Sequence, residues 1–455
     1  MRKKISANPS FFFKITCDRE IIKQYRNKYD AIDKILDGNS KILNIFHSKL
    51  STYGDNKQRL CPYSSEQIMR MAIVKQIENW SYRETIIRVS ESDFLRNFTR
   101  IGMGKIMSFG FLCGAINQIS VESWSKINEQ LDTYAITTDR ITPDQIRMDS
   151  TVCETNIHYP TDSGLLWDSY RTLSRLIRQS NEIKPRLNLG NRFHDNKIKQ
   201  LHTYISTHST NKNKSTKRKV NQRIKTLIER VDSVCESACR YIDNAKEIGL
   251  QNGAIYSIEK VLPLVQQVVR QSKRIHIDGE KVPASERIFS IFEEHTELLI
   301  RGKSNKPIEF GHLVSIAQTK EKYISFYNVS EKSLHDTKMK DIALKEHKKK
   351  FGELPNKFTA DKNYYVSMDE INKLEEEMSL CAIGKKGRRN LAEEIREHSD
   401  EFKEMQKFRA GIEGSISFLK RVFGLFRCVN KGFKHFACTI GRTVFCHNLV
   451  ILSRA

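Results

Sequence analysis

The chain has 455 residues, 39% hydrophobic and 29% charged, a composition that excludes a disordered polypeptide and allows two or three domains. Its 77 Lys and Arg against 54 Asp and Glu give a formal net charge of +23, which favours a polyanionic partner: nucleic acid first, an anionic membrane surface second. No run of about 20 uncharged apolar residues occurs, so a membrane span is not expected.

The opening "MRKKISANPSFFFKIT" is basic, but its apolar part, Phe11 to Phe13, is too short for a secretory signal, and a cytoplasmic location is expected. Of the ten cysteines only Cys235 and Cys239, one helical turn apart, are close in sequence. Nothing follows them at zinc-site spacing, so buried thiols in a reducing compartment are expected.

Residues 1–135 read as a helical domain. "SSEQIMRMAIVKQIENW" opens with Ser64 and Gln67 as a capping box, and Ile68, Met71 and Ala72 share one face. "SYRETIIRVS" repeats the device with Ser81 and Glu84, and "SDFLRNF" adds a third helix, an order that resembles a helix-turn-helix and makes DNA contact a possibility here. After Pro143, Ile146, Met148, Thr151 and Val152 predict a strand carrying Asp149 that Pro160 ends. Residues 163–303 then read as a helical insertion of four helices, "LLWDSYRTLSRLIRQ", "TLIERVDSVCESACRYIDNA", "IEKVLPLVQQVVRQS" and "ASERIFSIFEEHTELLI". Its stretch 184–225 is strongly basic. The cluster "KNKSTKRK", with Lys217, Arg218 and Lys219, is a candidate phosphate contact as well as a solvated helix face.

Strands return at 307. "PIEFGHLVSIAQ" and "KYISFYNV" predict a hairpin, "DTKMKDIALKEHKKK" a helix, "KFTADKNYY" a short strand holding Asp361, "SMDEINKLEEEMS" a helix and "LCAIG" a strand. A basic loop with Lys385, Lys386, Arg388 and Arg389 follows, and these four are candidate phosphate contacts. A last helix carries Arg409, Glu413 and Lys420 on one stripe, beside an apolar face of Ile412, Ile416, Leu419 and Phe423.

Asp149, Asp361 and Glu413 are thus remote in sequence. If the two strands are neighbours, their carboxylates can converge into an oxygen-rich site of the kind Mg²⁺ takes, with Arg409 and Lys420 beside it for DNA phosphates. Spacing alone leaves open the plainer alternative that Arg409 and Glu413 form a surface ion pair. Asp162 reads as a helix cap, His158 as a structural histidine, and Trp80 and Trp167 as core.

The segments "MDSTVCETNIHYPTDSGLLWDSYR", "TADKNYY" and "FRAGIEGSISFLKRVFGLFRCVNKGFKHF…HNLVIL" resemble bacterial insertion-sequence transposases of the DDE class. That family's carboxy-terminal signature is Tyr, two residues, Arg, three residues, Glu, six residues, Lys. Arg409, Glu413 and Lys420 keep this spacing, and Gln406 stands in the Tyr slot. The resemblance implies an α/β RNase H-like core at 140–162 and 304–455, a mixed sheet flanked by helices, interrupted by the insertion and preceded by the all-α domain. It implies Asp149, Asp361 and Glu413 as a catalytic, metal-binding triad for Mg²⁺ or Mn²⁺. The implied chemistry is cleavage at transposon ends followed by attack of the freed 3′-hydroxyl on target DNA. Double-stranded DNA, both ends and target, would be the partner of a nucleoid-associated homodimer. A structure-specific nuclease, or a transposase-derived DNA-binding protein without catalysis, are the competing expectations.

Overall fold

The computed structural model describes residues 3–4, 19–51, 53, 61–183, 192–249, 253–300 and 307–454. Residues 184–191 of the basic stretch lie outside them. Seven helices come first: α1 (Glu20–Asp37), α2 (Ser40–Leu50), α3 (Ser65–Ile77), α4 (Tyr82–Glu91), α5 (Asp93–Phe98), α6 (Phe109–Ile116) and α7 (Val121–Thr137). Strand β1 (Gln145–Thr155) leads into α8 (Asp162–Ile183), α9 (Asp195–His208), α10 (Lys214–Glu247) and α11 (Gly253–His276). Then come β2 (Glu297–Ile300), β3 (Ile308–Gln318), β4 (Ile324–Val329), α12 (Asp336–Phe351), β5 (Lys357–Thr359), α13 (Met368–Glu375) and β6 (Leu380–Ala382). Last are α14 (Leu391–His398), α15 (Asp400–Val422), β7 (Arg427–Cys428) and α16 (Phe433–Leu452).

The protein is a mixed α/β structure whose seven strands join one helix-flanked sheet, and its chain divides into two compact units. The first comprises residues 1–154 and 312–455, the second residues 155–311. In the first unit the strand order is β4-β3-β1-β5-β6, with β7 paired to β1. β3 and β4 are the expected antiparallel hairpin, and β1, β5 and β6 run parallel.

Alternation along the strands divides the two faces of this sheet. Ile146, Met148 and Phe358 pack with Met339, Ala343 and Leu344 of α12 and Ile371 of α13. On the other face, Leu380 and Ala382 of β6 pack with Phe402 and Met405 of α15. The helical amino-terminal residues do not keep a core of their own. Ile68, Ile73 and Val74 of α3, Trp124 and Leu131 of α7, Ile316 of β3, Ile412 and Leu419 of α15, and Phe445 and Leu449 of α16 form one continuous cluster.

α3 begins as its sequence predicts. Ser64 Oγ accepts from Gln67 N at 3.1 Å and Ser64 N donates to Gln67 Oε1 at 2.9 Å, closing the capping box. Ser81 Oγ likewise accepts from Glu84 N at 3.1 Å. Yet α3 is buried around nearly its whole circumference, Glu66 and Arg70 included, so this member of the candidate helix-turn-helix cannot enter a DNA groove. Its Arg70 is held by Asp33, by Asp37 at 2.6 Å and by Glu66 at 3.0 Å, and Arg100 bonds the same three carboxylates.

The second unit is the helical insertion, with its own core built from Leu166 and Leu173 of α8, Leu227, Val231 and Tyr241 of α10, and Ile258 and Val265 of α11. The predicted fourth helix, "ASERIFSIFEEHTELLI", is not one. After a single 3-10 turn at Ala284–Glu286 the chain is irregular, and "ELLI" is β2, antiparallel to Ile308–Gly311 of β3. Gln271 of α11 explains the difference: its amide accepts from Ile288 N at 2.9 Å and donates to Ile288 O at 3.1 Å, replacing the bonds a helix would supply. Asp162 is not a simple cap either. Thr161 Oγ1 accepts the free N–H of Gly164 at 3.1 Å, while Asp162 binds His276 Nε2 at 2.9 Å and Arg287 at 2.7 Å. Burial by itself raises the Asp162 carboxyl, but these two partners outweigh it and hold the group below the usual carboxylate range.

The nine described cysteines are all free thiols, most of them buried, as expected. No helix among the described residues is long and apolar enough to cross a membrane.

Candidate active site

The parallel pairing of β1 with β5 matches Gln145 with Lys357, Ile146 with Phe358 and Arg147 with Thr359. Two residues further along each chain stand Asp149 and Asp361. Asp361 continues the extended path (φ −69°, ψ 161°) beyond the last ladder pair. Equal offsets from a matched pair put the two aspartates side by side, and the two-residue repeat points them to the face of Arg147 and Thr359. That face is covered by α15. Arg147 Nη1 donates to Phe408 O at 2.8 Å, and Gln406 Nε2 donates to Ala382 O at 2.7 Å and Thr359 Oγ1 at 3.4 Å.

α15 therefore straddles the β1–β5 seam, one flank tied to β1 through Phe408 and the other to β5 and β6 through Gln406. Gly411 permits the close approach, since a Cβ there would run into the Arg147 guanidinium. Further along, Lys420 lies near enough to Cys153 of β1 for its charge to act on that thiol. Glu413 lies between these two anchors and seven residues past Gln406, on the flank that faces β5.

The local bonds of the acids are simple. Asp149 Oδ1 accepts from Ser150 N at 2.7 Å and Asp361 Oδ1 from Lys362 N at 2.8 Å. Glu413 is exposed. It forms no ion pair with Arg409, so the plain surface-pair alternative is not realised. Carboxylate oxygens are the donors a hard divalent cation takes. The side chains of Asp149, Asp361 and Glu413 do not close into a cage: among the described residues no group of three or more His, Cys, Asp or Glu could hold a metal ion as it stands.

Two supporting residues, Arg147 and Gln318, are not singled out by the sequence. Arg147 is buried, and Gln318 of β3 accepts from its Nε at 3.0 Å and Nη2 at 2.7 Å, while the Phe408 ring lies 4.6 Å beneath the guanidinium. Burial lowers the arginine's pKa. Gln406, in the slot where an aromatic was expected, makes the helix-to-sheet bonds itself. The available signal was a lone cation between Ile146 and Met148, two residues before Asp149.

The expected phosphate contacts separate into two groups. Lys385 Nζ donates to Glu393 at 2.7 Å and Arg389 pairs with Glu397 at 2.7 Å, both acids on α14, a helix absent from the sequence reading. Lys385 and Arg389 are therefore neutralised. Lys386, bonded to Asn363 at 3.3 Å, and Arg388 remain exposed. Lys217, Arg218 and Lys219 are exposed on the first turns of α10, where the helix dipole opposes positive charge. His158 is exposed, 3.4 Å from Asp168. Trp80 and Trp167 are half-buried at the edges of the two main cores.

Set against known proteins, the chain matches no protein-family model, no curated protein and no solved structure.

Proposed function

We propose that the protein is a DNA transposase of the DDE class with an RNase H-like core. The observation that supports this reading is the β1–β5 register, which, carried on by two residues, brings Asp149 opposite Asp361, together with the family's spacing of Arg409, Glu413 and Lys420 on α15. The strand order β4-β3-β1-β5-β6, with β1, β5 and β6 parallel, supports the same reading.

In this reading Asp149, Asp361 and Glu413 are the residues that would hold Mg²⁺ or Mn²⁺ once drawn together, and the metal would supply Lewis-acid assistance to phosphoryl transfer. The protein's own residues orient and steady the site. Gln406 and the Arg147–Gln318 pair fix α15 over the two strands, so Glu413 is delivered from a rigid helix rather than a loop. Arg409 and Lys420 flank the acids and bind strand phosphates, as do Lys386 and Arg388. Two DNA ends must be joined, so the working form is a homodimer.

The test is cleavage of a linear duplex bearing the element's end, with Mg²⁺, followed by strand transfer from a precut end. Asp149→Asn, Asp361→Asn and Glu413→Gln should each lower cleavage at least about a thousandfold, roughly 4 kcal/mol of transition-state stabilisation, with unchanged melting temperature. Equal cleavage by all three variants and the parent would remove the enzymatic reading. Cleavage without strand transfer would leave a nuclease.

A further inference from the structure

The insertion unit carries a cavity of about 590 Å³, within the size range of small-ligand sites. α10 supplies one wall: Arg223, Thr226, Arg230, Ser233 and Ser237 recur at three- and four-residue steps, a single helix face. The other walls come from Tyr170 of α8, from Arg192 and Phe193 ahead of α9, and from Lys197 within it. Four cations thus converge on one opening, and among the described residues no carboxylate lines it. Asp195, between the lining residues His194 and Lys197, is engaged by Arg178 at 2.6 Å. Arg192, Lys197, Arg223 and Arg230 make no ion pair with any described residue.

Arg223 is also pre-oriented. Its guanidinium lies 3.5 Å over the Tyr204 ring, so its plane is set before any ligand arrives and its edge donors are left to bind. Converging cations repel one another, and the arrangement is relieved by an anion with several acceptor oxygens. Phe193, half-buried at the cavity wall, adds an aromatic surface on which a flat ring can lie. A phosphate joined to a planar base has both parts; a simple inorganic anion uses only the first.

We propose that this cavity is a nucleotide site, taking one phosphate on the Arg223, Arg230 and Lys197 side and the adjoining base against Phe193. Such a unit can come from an unpaired stretch of a DNA strand or from a free nucleotide. The assignment shares with the proposed function only the class of partner. It uses neither Asp149, Asp361 nor Glu413.

The full-length protein, in chelator and without divalent metal, is titrated with inorganic phosphate, a deoxynucleoside monophosphate, a single-stranded tetranucleotide and a short duplex. Saturable binding of the monophosphate or the tetranucleotide is expected, weakened at least tenfold by Arg223→Gln with Arg230→Gln. Phe193→Ala should weaken the nucleotide but leave inorganic phosphate unchanged. Monophosphate binding as tight as the tetranucleotide's marks a free nucleotide as the natural ligand; tetranucleotide binding alone marks a strand. The proposal is overturned if neither binds, or if binding survives the double substitution in a variant whose melting temperature is unaltered. Because no metal is present, loss of the cleavage reading and loss of this site are separate results.

Discussion

At the scale of single residues, the protein buries several ionisable groups, and two histidines give a testable sign. His347 and His447 are both held neutral, their pKa lowered to about 4, by burial first and then by the charge of Lys350 for His347, and by burial for His447 against the opposing bond from Asn448. An unfolded chain protonates the same rings below about pH 6.5. Proton uptake therefore favours the unfolded state as pH falls from about 6.5 to 4, and each histidine costs on the order of 3 kcal/mol across that window. Melting temperature measured against pH should fall steeply there, and His347→Leu should shallow the fall while changing neutral-pH stability by less than about 1.5 kcal/mol. A pH profile that His347→Leu leaves unaltered contradicts the assignment. The acids of the candidate site are legible as residues, because Asp149 and Asp361 stand at strands with alternating apolar residues and Glu413 sits on a patterned helix. Arg147 and Gln318 are not, since their importance lies in bonds across strands distant in sequence.

At the scale of elements, β1, the β3–β4 hairpin, α12, β5, α13, β6 and α15 follow the period of their apolar residues, and the sequence reading finds them. α14 is hard to read because it is eight residues long and its apolar stripe is a single i, i+4 pair, Leu391 and Ile395, both exposed. "ASERIFSIFEEHTELLI" was misread because its apolar spacing is compatible with a helix, while its hydrogen bonds go to Gln271 and β3. α3 shows a third limit: its polar Glu66, Gln67, Arg70 and Gln76 are buried along with its apolar residues, a burial that follows from the layers around it and not from its own pattern. Its Arg70 joins α3 to Asp33 and Asp37 of α1 and to Phe98 O at the end of α5. Arg70→Met should cost about 3 kcal/mol in urea unfolding, because three acids would be left to Arg100 alone. A loss below about 1 kcal/mol would mean that solvent, not Arg70, balances those charges.

At the scale of the whole molecule, the two compact units have separate hydrophobic cores, and calorimetry should resolve two transitions. Asp162→Asn removes charge from the pairings to His276 and Arg287, so it should lower the transition of the insertion unit alone, by about 1–3 kcal/mol. A single transition displaced as a whole would mean that the units melt together. The sequence reading divided the chain at 135 because α7 is followed by a change of period. Period cannot reveal that α16 packs against α1, α3 and α7, since those partners lie over three hundred residues away. During synthesis this arrangement imposes a schedule. Helices made first bury one another, but the sides of α1, α3 and α7 that meet α16 stay uncovered until residues 433–452 have left the ribosome, whereas the insertion has its own core and can fold while the rest is still being made. A messenger cut short before α16 would yield a polypeptide with a finished middle and an unfinished beginning, a natural target for chaperones and proteases.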